Sequence, residues 1–100
     1  GATEGDLRVF KGIPYASPPV GDARWKPPAA MPRWSGARVA TSFGPACIQP
    51  IARGNGVYVD DLGLLSEDCL TLNIWAPADA RNAPVFVWIR TRLKPASSCA

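Results

Sequence analysis

Proline sets the limits on what residues 17–50 can become. Pro18, Pro19, Pro27, Pro28, Pro32, Pro45 and Pro50 all fall in that stretch. Each lacks an N–H, and each drives the residue before it toward extended geometry. No helix longer than a turn or two fits between them. The same stretch carries Trp25, Trp34 and Phe43, large apolar groups that are expected to hold an irregular chain against a neighbouring core. Residues 17–50 therefore read as a structured wrap.

On either side of the wrap the pattern is that of strands. In residues 5–16, Leu7 and Val9 alternate with Arg8 and Phe10, which predicts a short strand. Gly12 and Pro14 are expected to break it, and proline places it at a sheet edge. Residues 51–68 hold Gly54, Gly56, Asp60, Asp61 and Gly63, a loop composition, with a short turn expected around Leu62 to Leu65. Residues 69–77 give the clearest period of two: Leu70, Leu72 and Ile74 on one face, Thr71, Asn73 and Trp75 on the other, with Pro77 as the stop. A turn is expected from Asp79 to Asn82. The run Val85-Phe86-Val87-Trp88-Ile89 is apolar throughout, the pattern of a strand buried on both faces inside a parallel sheet. No amphipathic helix in the chain could cover it, so it points to a larger parent domain. Residues 90–100 show no periodicity and read as an abnormal tail.

Composition narrows the chemistry. The chain has 100 residues, the size of one small domain, and contains 0 histidines. The side chain most used as a general base near neutral pH is therefore missing. Arg90, Arg92 and Lys94 account for the whole net charge of +3. A nucleic-acid surface needs basic contacts spread over a face, so nucleic acid is not an expected partner. No apolar run reaches the roughly 20 residues of a membrane-spanning helix. Gly1 opens a polar segment with no leader-type apolar run, and the absence of Met suggests that the original start was removed or not recorded. Cys47, Cys69 and Cys99 do not form a CxxC knuckle, and no histidine could complete a zinc site. One disulfide with one cysteine left over is the simplest reading.

The string Ser66-Glu67-Asp68-Cys69-Leu70-Thr71-Leu72-Asn73-Ile74-Trp75-Ala76-Pro77 resembles the signature of the type-B carboxylesterases, a family that includes cholinesterases and para-nitrobenzyl esterases. Further matches follow in the family's order: Phe10-Lys11-Gly12-Ile13-Pro14-Tyr15-Ala16; Pro18-Pro19-Val20-Gly21 with Arg24-Trp25 and Pro27-Pro28; and Gly44-Pro45-Ala46-Cys47-Ile48-Gln49. The resemblance implies an α/β-hydrolase fold, of which residues 1–89 would be the N-terminal, mostly β and loop portion, incomplete as it stands. It implies hydrolysis of small-molecule carboxylic esters through an acyl-serine intermediate, without metal or organic cofactor. It also pairs Cys47 with Cys69 as a disulfide and Arg24 with Glu67 as a structural salt bridge. The disulfide points to a secreted or periplasmic protein, with a reduced, cytoplasmic product as the alternative. Tyr58 and Asp60, between the cysteines, would lie at the rim of the active-site gorge. No counterpart is evident for the aromatic that binds choline-type cations in cholinesterases.

The catalytic parts of that family are not found in these residues. An activated serine needs a base, and the developing oxyanion needs donors. No histidine and no G-x-S-x-G elbow occur, and no glycine follows Gly63. In the family the strand matching Val85–Ile89 leads into a glycine-rich oxyanion loop; here it leads into Arg90-Thr91-Arg92-Leu93. No residue is therefore assigned a catalytic, cofactor or metal role. A shift of reading frame after Ile89 would account for the abrupt tail. Two other readings stay open: a non-catalytic interaction protein on the esterase fold, and a free-standing β-rich binding module. Ser66 reads as a turn-capping serine, the four tryptophans as core or wrap residues, and Cys99 as a free thiol.

Overall fold

The computed structural model describes residues 1–50 and 63–89. Three antiparallel strands form its one sheet: β1 (Ala2–Glu4), β2 (Leu7–Pro14) and β3 (Thr71–Pro77), in the order β1-β2-β3. A single 3₁₀ turn, Gly21–Ala23, is the only helical element among the described residues. The proline-rich wrap thus behaves as its composition requires.

Two expectations for the first strand are corrected. β2 is the central strand, with β1 paired on one side and β3 on the other. It also runs through Gly12 and ends at Pro14. The ladder survives Gly12 because of a bulge. Phe10 faces Ile74 and Ile13 faces Leu72, so Lys11 and Gly12 share Asn73 as their opposite residue. Gly12 takes φ +69°, a conformation that glycine alone adopts freely. Its N–H donates to the Asn73 side-chain Oδ1 at 2.9 Å, while the Lys11 N–H donates to the Ala40 carbonyl at 2.9 Å. The extra residue therefore leaves no orphaned donor. Pro14 is tolerated because Tyr15 N–H, its neighbour, is the group that donates toward β3, to the Leu70 carbonyl, so the main chain of Pro14 faces the other side, where β1 pairs only as far as Val9.

Pairing across the ladder sorts the side chains onto two faces. Val9 lies opposite Trp75, and Phe43 of the wrap packs on that side, its ring 6.3 Å from the Trp75 ring. Val9 is 1% exposed and is the most deeply buried side chain described; Ala16 and Ala40 complete the buried set. Phe10 and Ile74, with Ile13 and Leu72, share the other face. That face is only partly covered, and Leu72 and Ile74 remain exposed.

The wrap is held to the sheet by backbone approach as much as by side chains. A Cβ on Gly12 would sit 2.6 Å from the Ser42 carbonyl oxygen, and one on Gly44 would sit 2.6 Å from the Thr71 hydroxyl. Residues 42–44 therefore lie wedged between the bulge of β2 and the start of β3. The aromatic expectation is only partly met. Phe43 packs, but Trp25 is 91% exposed and Trp34, Trp75 and Trp88 are also exposed, so the tryptophans are not core residues here. Arg24 lies over the Trp25 ring and Arg38 over the Trp34 ring, which accounts for how these rings sit outside a core.

The apolar run at residues 85–89, which no helix of this chain could cover, is bare among the described residues. Val85, Phe86, Val87, Trp88 and Ile89 are all exposed and belong to no ladder among the described residues. A strand needs a partner for its N–H and C=O groups, and none of the three described strands provides one. The Phe86 and Trp88 rings nevertheless sit 6.0 Å apart, on the same side of the segment, as alternate residues of extended chain do.

Candidate functional site

Three attachments converge on residues 64–69, just before β3. The first is backbone. Ala46 N–H donates to the Leu64 carbonyl and Ser66 N–H donates to the Ala46 carbonyl, both at 2.9 Å, forming a one-residue parallel bridge. The second is covalent: Cys47 is bonded to Cys69, with Cα atoms 5.0 Å apart. The third is ionic. Arg24 Nε lies 2.6 Å from Glu67 Oε1. The Arg24 side chain is 56% exposed, so the pair is solvent-screened and contributes at most about 1 kcal/mol. The disulfide closes a loop with a sequence separation of 22, for which chain entropy gives about 3 kcal/mol. Covalent closure thus outweighs the ion pair, and together they tie both ends of the wrap to one short segment.

Ser66 sits at the centre of this junction. Its hydroxyl accepts a hydrogen bond from the Asp68 N–H at 3.1 Å, a serine turn that orients the chain into β3.

A groove of about 210 Å³ lies beside Phe10, Ile13, Trp34, Arg38 and Val39, smaller than the about 300 to 1,000 Å³ of a typical ligand pocket. No group of three side chains able to hold a metal ion occurs among the described residues, and no helix there is long and apolar enough to cross a membrane. Tyr58, Asp60, Leu62, Cys99 and the Arg90–Leu93 stretch lie outside the described residues.

Sequence reasoning missed two contacts that shape this junction. One is the Gly12–Asn73 hydrogen bond. Its signal was a glycine inside a strand pattern, which marks a bulge as readily as a stop. The other is Lys11, which bonds Glu4 of β1 at 2.8 Å and lies 5.0 Å from the centre of the Phe43 ring. No sequence spacing announces that triad, because its members come from three separate segments.

A profile of the carboxylesterase family matches residues 1–92. The chain belongs to the carboxylesterase family. Its relatives include a phenmedipham hydrolase of Pseudarthrobacter oxydans, 45% identical over 92 residues, where the match covers 89% of this chain and 19% of that protein. The para-nitrobenzyl esterase of Bacillus subtilis (strain 168) is 43% identical over 90 residues, covering 89% of this chain and 18% of the esterase. A solved structure of a PNB esterase superposes with a TM-score of 0.79 at 43% identity, covering 89% of this chain and 18% of that one. The carboxylesterase resemblance therefore holds in sequence and in three dimensions, and the family's fold is the α/β-hydrolase. The chain spans less than a fifth of the length of these relatives. The three described strands correspond to a mostly β part of that fold.

Proposed function

We propose that this chain is the N-terminal portion of a carboxylic-ester hydrolase and does not hydrolyse esters by itself. Family membership over residues 1–92, in a chain with 0 histidines, is the observation that carries this reading. An acyl-serine mechanism takes a proton from the serine hydroxyl and returns one to the leaving alcohol, both through a base held at hydrogen-bond distance. It also needs backbone donors aimed at the oxyanion. The nucleophile, base and donors would be supplied by residues other than these.

The contribution of these residues is architectural. The Cys47–Cys69 disulfide and the Arg24–Glu67 pair fasten the wrap to the start of β3, and β3 anchors the sheet on which an active site would be built. By chemical class the substrate is a small carboxylic ester. The disulfide favours residence outside the reducing cytosol, in a secreted or periplasmic setting.

Hydrolysis of p-nitrophenyl acetate tests the reading directly. The purified 100-residue chain is expected to match the buffer blank. The product of the gene read through a downstream G-x-S-x-G and histidine is expected to be active, and to lose activity when the elbow serine becomes alanine. Turnover by the 100-residue chain above the blank would overturn the proposal.

A further inference from the structure

We draw no further inference here: the strongest candidate, the surface patch just after the 3₁₀ turn of the wrap, where the exposed Trp25 ring lies against Arg24 on a backbone at φ +63°, belongs to a chain spanning less than a fifth of its relatives, and nothing in the structure shows what covers it.

Discussion

Gly12 and Asn73 lie 61 positions apart in sequence, yet the main-chain N–H of one donates to the side-chain Oδ1 of the other at 2.9 Å. That bond occupies the place where the bulge interrupts the β2–β3 ladder. It satisfies a part-buried donor that the main chain of β3 does not reach. Replacing Asn73 by Ala leaves that N–H unpaired. The expected loss is about 1–3 kcal/mol, read as a fall in the urea midpoint with an unchanged slope. A midpoint equal to wild type would show that water replaces the side chain at no cost.

Gly12→Ala is expected to be at least as damaging. The added Cβ meets the Ser42 carbonyl oxygen at 2.6 Å while the backbone keeps φ +69°. Strain and overpacking together are expected to cost about 2–4 kcal/mol. Gly5→Ala serves as the control: it has a similar φ of +58° but open space around it, and should cost no more than about 1–2 kcal/mol. Equal losses in the two variants would mean that backbone conformation alone, and no steric clash with the wrap, governs Gly12.

The disulfide is expected to be the largest single contribution to stability. Its loss in a Cys47→Ser/Cys69→Ser double variant should remove about 3 kcal/mol. Intact mass after alkylation, with and without prior reduction, reports whether the bond is present in the purified chain. Two extra labelled thiols after reduction are expected; no difference would count against the bond.

A double-mutant cycle on Arg24→Ala and Glu67→Ala isolates the ion pair. The coupling is expected to be about 0.5 kcal/mol at low salt and to shrink as salt is added, because the Arg24 side chain is more than half exposed. Full additivity of the two single effects would mean that the contact carries no energy.

Val9→Ala tests where the core lies. Val9 is 1% exposed and faces Trp75 across the ladder. Removing its two methyl groups is expected to cost about 2 kcal/mol. The same truncation at Val85, which is 85% exposed, should change the stability of the monomer by less than about 0.5 kcal/mol. A large effect at Val85 would point to packing partners that the described residues do not include.

The strand at β3 was legible because alternation survives in its sequence from Leu70 to Ile74, and a period of two matches the pleat of a strand and no helix. The wrap was legible through its prolines, which forbid helix locally whatever the rest of the chain does. β2 was half legible. Its start alternates, but the sequence cannot say whether Gly12 stops a strand or bulges it; that depends on whether Asn73 arrives to accept the N–H. β1 carries no signal of its own. It is three exposed residues with no apolar pattern, and it exists because β2 offers an edge for Ala2, Thr3 and Glu4 to pair with.

The clearest divergence is at the tryptophans, with Trp25 91% exposed. An apolar run such as Val85–Ile89 states that burial would be favourable; it does not supply the surface that performs it, and among the described residues that surface is missing. From its own order of residues the chain determined its family, its period-two strand, its helix-free wrap and the lack of any histidine for catalysis. Only the tertiary structure decided that β2 is central, that Gly12 bulges onto Asn73, and that Phe43 packs while Trp25 does not. The physical reason is that propensity and periodicity act over a few neighbouring residues. Ladder order, bulges and burial depend on which distant segment arrives to make the contact.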